Sequence, residues 1–291
     1  MHINRTLGIK NTDRVLEIGG GGFPHPRSSI ILDKFLEEGG LRQRGLADLV
    51  VDRPFIHADA CRMPFPDKSF DYVIASHVIE HIPETELVQF AVEIMRVGKA
   101  GYIEAPGPLY ETLRDIPEHI WFVVCADNTV HLSLKRPEDI PPQKRLINPM
   151  FYDPGFSPII SRHSDIWHTG MEWENSFSIK RHENLGELWG FYDEEQIMAA
   201  IRHRLENDNG SKKEKRRGRR VRDRLWRKIR RISSLPDNKK PDRLFISWRH
   251  LVVCPKCRNK LQEGVESLKC ATCGSTYPIL KGDIPSFVNV E

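Results

Sequence analysis

The chain has 291 residues, enough for one domain of about 200 residues and a second, smaller one. With 39% hydrophobic residues, 29% charged residues and a formal net charge of +4, it can form a packed core beneath a strongly charged surface. No apolar run approaches the roughly 20 residues that cross a bilayer, and residues 1–14 lack the apolar stretch of a signal peptide. These features disfavour secreted and membrane-spanning proteins and predict a cytoplasmic location.

Five short apolar runs in the first 106 residues predict the strands of a sheet. They are residues 13–18, 29–33, 55–60, 70–76 and 101–106. Residues 84–96 carry apolar residues at helical spacing after a proline, which predicts a helix. Strands that alternate with helical or irregular connections form a mostly parallel, doubly wound α/β sheet, and ligands bind beyond the carboxyl ends of its strands.

Glycines and acids stand at these predicted strand ends. Gly19 to Gly22 follow the first strand, Asp33 ends the second, and Asp59 belongs to the end of the third. A glycine turn lets backbone amides approach a ligand, and a carboxylate beside it accepts hydrogen bonds from the hydroxyl groups of a ribose. A second acid can accept a hydrogen bond from the amino group of an adenine. The pattern predicts an adenosine-containing ligand, although a glycine turn alone fits NAD equally well.

Three blocks within residues 13–106 resemble the class I S-adenosylmethionine (SAM)-dependent methyltransferases, specifically the group called type 11. The blocks are VLEIGGGGFP, IILDKF and DACRMPFPDKSFDYVIASHVIEHIP. The resemblance implies a Rossmann-like fold with SAM as the cofactor. It implies a SAM pocket lined by Glu17, Gly19, Gly20, Gly21, Asp33, Asp59 and Ala60, and by His77 near the methionine end.

The glycine block departs from the usual pattern of this family. Phe23 stands in place of the third glycine, and HPRSS at residues 25–29 replaces most of the usual first helix. The shortened block resembles a subgroup of sugar and cell-surface polysaccharide methyltransferases. It also leaves an alternative open, a catalytically degenerate methyltransferase scaffold that binds RNA.

His77, Glu80 and His81 form the string H-x-x-E-H, which is also the inverted motif of zinc proteases. On one helix the two histidines would share a face and could chelate zinc. The preceding strand and Pro83 argue against a long helix, and no third ligand is evident from the sequence. We therefore consider the three residues as candidate general bases for a methyl acceptor, while positioning alone would also suffice for catalysis.

Two C-x2-C pairs near the C-terminus have the spacing of a zinc site. Their cysteines are Cys254, Cys257, Cys270 and Cys273. Four thiolates around one Zn²⁺ close the coordination shell, so the predicted zinc is structural. The surrounding sequence, ending in YPILKGDIP, resembles the small zinc-ribbon activator of tRNA, rRNA and release-factor methyltransferases. That protein binds its methyltransferase by adding a strand to the sheet, which implies that residues 278–289 pack on the catalytic domain. Contact with substrate or another protein is the alternative.

Residues 212–231 contain thirteen Lys or Arg and only two acids, so the rest of the chain is net acidic. Apolar residues on one helical face of this segment fit three interpretations. The segment could lie on an anionic membrane surface, bind RNA with Trp226 available for stacking, or form a solvated linker helix.

These features together predict three parts, residues 1–206, 207–244 and 245–291. The first is a methyltransferase domain with a substrate-side insertion at 107–192, the second a basic helix and linker, and the third a zinc ribbon. The insertion holds four of the six tryptophans, which suit a sugar or aromatic acceptor. We expect methyl transfer to an oxygen or nitrogen atom of a surface glycan or lipid-linked intermediate, or of RNA or a translation factor.

Overall fold

A computed structural model gives the fold of the chain. It describes residues 6–20, 22–36, 52–153, 164–193, 195, 198 and 246–288. Gly21 and the basic segment 212–231 lie outside the described residues.

A six-stranded sheet forms the centre of the molecule. Its strands are β1 (Val15–Ile18), β2 (Ile30–Asp33), β3 (Phe55–His57), β4 (Phe70–Ser76), β5 (Gly98–Pro106) and β8 (His168–Glu174). They lie in the order β3-β2-β1-β4-β5-β8, and neighbouring strands are parallel except β8, which runs antiparallel to β5 at one edge. The first five follow the order 3-2-1-4-5 of doubly wound folds, so the predicted Rossmann-like α/β fold with a mostly parallel sheet is confirmed.

Nearly every residue of the central strands is buried, as expected for parallel strands covered on both faces. Helix α1 (Leu87–Val97) packs on the sheet through residues at helical spacing, among them Leu87, Phe90 and Ile94. The predicted helix over 84–96 is thus confirmed, with its first three residues in a 3-10 turn. Between β1 and β2, the described residues form turns instead of a helix.

The insertion contains a second, three-stranded sheet in the order β6-β7-β9 that the sequence did not predict. Its strands are β6 (Trp121–Ala126), β7 (Thr129–Leu134) and β9 (Ser178–His182). The chain leaves β8 of the central sheet at Glu174 and enters this second sheet at Ser178. Short helices complete the insertion, namely α2 (Pro108–Arg114), α3 (Lys144–Ile147), α4 (Ser164–Trp167) and α5 (Leu185–Trp189).

The cysteine-containing module is a four-stranded antiparallel sheet that packs directly on the central sheet. Its strands are β10 (Leu261–Glu263), β11 (Ser267–Cys270), β12 (Thr276–Leu280) and β13 (Ile284–Pro285). Just after β13, Ser286 forms a parallel bridge with His57 of β3, and the backbone N–H of Phe287 donates to the His57 carbonyl at 2.7 Å. Trp248, Tyr277 and Phe287 also belong to the hydrophobic core that includes β1 and β4. The described residues up to Trp189 and from Ile246 onward therefore form one compact unit.

A buried carboxylate joins α1 to the cysteine module. Glu93, only 1% exposed, accepts hydrogen bonds from Arg96 of its own helix, from Arg258 of the module and from the backbone N–H of Met63. Burial raises the pKa of Glu93, but the two guanidinium groups outweigh it and hold the pKa below its usual value of 4.5.

Replacing Glu93 by Gln should lower the free energy of unfolding by about 3 kcal/mol, because the largely buried guanidinium group of Arg96 loses its counter-charge, and so does the more exposed Arg258. Glu84→Gln is the matched control, since it removes an exposed ion pair with Arg181 and should cost at most about 1 kcal/mol. Urea unfolding at pH 7 measures both losses. Because the folded pKa is the lower one, the difference between wild type and Glu93→Gln should shrink as the pH falls below 4.5. Equal losses in the two variants would contradict the assigned role of Glu93.

Candidate functional site

Four predicted site residues follow neighbouring strands at one edge of the central sheet. Gly19 follows β1, Asp33 ends β2, Asp59 lies two residues beyond β3, and His77 follows β4. Because these strands are parallel and adjacent, their carboxyl ends meet at the same edge. Backbone bonds hold the turns together, with Gly19 N–H donating to the Leu32 carbonyl at 2.9 Å. The arrangement is a cleft edge of the kind that binds ligands in such sheets.

Gly19 has no space for a side chain. Its φ of +69° lies in the left-handed region, and a Cβ atom there would sit 2.9 Å from the Val78 side chain. The glycine turn therefore packs against the turn that follows β4. A Cβ atom at Gly20 would lie 3.3 Å from the carboxyl carbon of Glu17, so Gly20 also packs closely against its surroundings.

Glu17, predicted to line the SAM pocket, uses its carboxylate to hold the neighbouring loop. One of its oxygens accepts hydrogen bonds from the backbone N–H of His25, at 2.7 Å, and from the Ser28 hydroxyl. Burial raises the pKa of Glu17 above its usual value in spite of these bonds. The side chain thus shapes the loop that replaces the usual first helix.

Asp33 and Asp59 both have partners within the cleft. Asp33 accepts a hydrogen bond from the backbone N–H of Phe35 at 3.0 Å. Asp59 accepts one from the backbone of Cys61 and forms an ion pair with Lys34 at 2.5 Å. Partial burial raises the pKa of Asp59, but Lys34 outweighs it and the pKa lies below its usual value. Lys34 directly follows Asp33 in the sequence, but its pairing with Asp59 depends on the fold and was not predicted. Ala60, the remaining predicted lining residue, is buried.

His77 lies between two buried carboxylates. Its backbone is left-handed, with φ at 58°, and its ring nitrogens lie 3.2 Å from Glu80 Oε1 and 3.6 Å from Glu104 Oε1. Burial lowers the pKa of His77, but Glu104 and Glu80 outweigh it and raise the pKa to about 9. An imidazole that stays protonated at neutral pH fits poorly with a role as general base.

The H-x-x-E-H string does not form the helix that a zinc protease would need. A 3-10 turn covers only Ile79–His81, and His77 lies outside it. Glu80 and His81 instead meet His119, and the ligand atoms of the three side chains lie within 4.8 Å of one another. His119 lies two residues before β6. It was not predicted as a site residue, because only the fold brings it near Glu80 and His81.

A cavity of about 510 Å³ lies on the insertion, beyond α2. Its lining includes Lys135, Arg136 and Lys144 together with Asp115. Lys135 also reaches Glu111 at 3.3 Å, and Glu111 in turn bonds to His119 at 2.6 Å. The insertion therefore connects through charged groups to the cluster beside the cleft.

The four predicted zinc ligands converge at the base of the cysteine module. Their sulfur atoms lie within 4.8 Å of one another, with Cys254 and Cys273 3.5 Å apart and Cys257 and Cys270 3.4 Å apart. A tetrahedron with metal–sulfur bonds of about 2.3 Å has edges of about 3.8 Å, close to these values. The Tyr277 hydroxyl lies 3.1 Å from Cys254 Sγ and can donate a hydrogen bond to it. None of the four cysteines forms a disulfide, so the cluster fits a tetrahedral metal ion.

Residues 40–103 match the protein family described as a methyltransferase domain. That match supports a methyltransferase domain in this chain. It covers β3, β4, α1 and most of β5, and so includes Asp59 and His77 of the cleft.

Solved structures similar to the chain include several SAM-dependent methyltransferases. One from Archaeoglobus fulgidus is 24% identical, over 36% of this chain and 52% of that one, with a TM-score of 0.29. One from Methanosarcina mazei is 18% identical over 40% and 68%, with a TM-score of 0.28. One from Mesorhizobium loti is 16% identical over 43% and 57%, with a TM-score of 0.26.

The chain spans little more than half the length of most of these structures, and no curated protein matches it. Among the described residues, no helix combines the length and apolar character needed to cross a bilayer.

Proposed function

We propose that the chain is a SAM-dependent methyltransferase that transfers a methyl group to an oxygen or nitrogen atom of its acceptor. One observation carries the proposal, namely that the glycine turn at Gly19, the carboxylate of Asp33 and the acid Asp59 lie along one edge of a parallel sheet. Two of the strands forming that edge fall within the matched methyltransferase segment.

In this proposal each cleft residue contacts a different part of SAM. The backbone at Gly19 and Gly20 approaches the methionine and ribose portions, and Asp33 accepts the ribose hydroxyls. Asp59, with Lys34 beside it, lies at the adenine end, and His77 lies near the methionine end.

The reaction itself requires mainly alignment. A lone pair of the acceptor attacks the methyl carbon, the carbon–sulfur bond breaks with its electrons staying on sulfur, and the acceptor releases its proton. Holding the acceptor in line with the carbon–sulfur bond supplies much of the acceleration. We assign binding of the acceptor to the insertion that follows β5.

Calorimetric titration with SAM and with its demethylated product tests the cleft. The wild-type protein should bind both, and Asp33→Ala should weaken binding by about tenfold or more, because hydrogen bonds between a carboxylate and the ribose hydroxyls are lost. Gly19→Ala should abolish binding, since its Cβ would collide with Val78.

Two variants serve as controls. Asp67→Ala removes an exposed acid outside the cleft, and Gly264→Ala adds a Cβ where the nearest atom is 3.4 Å away. Both should bind SAM as the wild type does. Failure of zinc-loaded wild-type protein to bind either compound would instead favour the non-enzymatic, RNA-binding scaffold.

We also propose that Cys254, Cys257, Cys270 and Cys273 hold one structural Zn²⁺. The distances between their sulfur atoms support this proposal, as does the lack of any disulfide among them. The ion would fix the module whose residues Ser286 and Phe287 bond to β3. Zinc would thereby stabilise the sheet that carries the cleft.

Cys273→Ser should lose one equivalent of bound zinc relative to wild type, because a serine hydroxyl is a poor ligand in a four-thiolate site. Its melting temperature should fall by about 4 °C or more, which corresponds to a loss of roughly 1–2 kcal/mol in a unit of this size. Cys125→Ser is the control and should keep both properties, since Cys125 lies outside the cluster. Metal analysis and thermal unfolding provide the measurements. Unchanged zinc content in Cys273→Ser would contradict the assignment.

A further inference from the structure

A second cluster of potential metal ligands lies beside the cleft, well separated in sequence from the cysteines. Glu80 and His81 come from the 3-10 turn after β4, and His119 comes from the segment before β6. Glu80 is 0% exposed and His119 is 3% exposed, while His81 is partly buried. A backbone hydrogen bond from Ile120 N–H to the Glu80 carbonyl, 2.7 Å long, holds the two segments together.

The buried carboxylate of Glu80 is only partly compensated. The protonated ring of His77 lies 3.2 Å from Oε1, but neither oxygen of Glu80 accepts a hydrogen bond of good geometry. Burying a carboxylate is costly unless its oxygens are paired or coordinate a metal ion. Glu80 is therefore placed to receive a further positive group at its oxygens.

Both histidines are oriented by acceptors on the far side of their rings. His81 Nδ1 lies 3.0 Å from the Glu118 carbonyl, and His119 Nδ1 lies 2.6 Å from Glu111 Oε1. A carbonyl or carboxylate only accepts, so each Nδ1 carries the hydrogen and the lone pair of a neutral ring is at Nε2. Metal-binding histidines almost always donate their second N–H to such an acceptor. The sequence alone could not reveal these two partners.

We propose that Glu80, His81 and His119 bind one divalent transition-metal ion of the Zn²⁺ and Co²⁺ type, separate from the zinc at the four cysteines. Imidazole ligands favour ions of this kind, and two histidines with one carboxylate leave coordination positions open. Glu111 and the Glu118 carbonyl act as positioning groups that fix the two rings.

The position of the cluster indicates what the open positions would bind. Val78, two residues before Glu80, contacts the glycine turn at Gly19. Resting on the proposed methyltransferase function, we infer that an ion held by these three side chains would bind the acceptor's hydroxyl group and lower its pKa, so that the proton could pass to solvent. The acceptor oxygen would then be the better nucleophile for the methyl carbon of SAM, with the electrons of the carbon–sulfur bond staying on sulfur.

Metal analysis of the full chain, loaded with Zn²⁺ and then freed of excess ion, tests the site without any acceptor. The wild-type protein should hold two equivalents, whereas Glu80→Gln and His119→Asn should each hold one. His182→Asn is the matched control, because His182 is a buried histidine outside the cluster and should leave two equivalents bound. One equivalent in the wild type would overturn the proposal.

A second measurement uses the unmodified protein, in case the variants do not fold. Co²⁺ added to protein that already carries one Zn²⁺ should produce two strongly shifted, exchangeable proton resonances, one from each Nδ1–H of His81 and His119. Absence of these resonances would overturn the second site. SAM titration of the same sample separates the two proposals, since loss of SAM binding with the resonances retained contradicts only the methyltransferase function.

Discussion

The burial of β1 between β2 and β4 is the constraint on which the rest of the structure depends. Its residues Val15 and Leu16 are fully buried, and parallel pairing on both sides fixes its direction. That pairing sets the neighbouring strands in the order β3-β2-β1-β4, so four turns emerge at one edge. The glycine turn, the two acids and His77 lie at the same edge because of this order.

The turn after β4 serves two neighbouring sites at once. Val78 packs against Gly19 and leaves no room for a Cβ atom at position 19. The 3-10 turn that follows Val78 places Glu80 and His81 close to His119. His77, at the start of the same turn, forms ion pairs with Glu80 and Glu104. A change at this turn would consequently affect the cofactor cleft and the histidine cluster together.

The sequence predicted the central sheet well, because its strands are short apolar runs bounded by glycine, proline or acids. The boundaries of β4 agreed in full, while β5 begins three residues earlier than expected, since Gly98 to Ala100 pair with their neighbours. The hairpin of β6 and β7 was not predicted. Its two-residue turn consists of Asp127 and Asn128, which both adopt positive φ, as such a turn requires.

Local patterns also explain which site residues were found. The cysteines have short, regular spacing, and each acid stands directly at or after an apolar run, whereas His119, Glu111 and Lys135 belong to the insertion and contact one another only through tertiary packing.

The bridge between Ser286 and β3 has a consequence for the solution behaviour of the sheet. An outermost strand with unpaired backbone groups is a template on which other chains can assemble. Here the segment after β13 pairs with the backbone of His57, and Phe287 packs into the hydrophobic core. The cysteine module thus protects that flank from self-association, and chains whose module has come loose would tend to aggregate through β3.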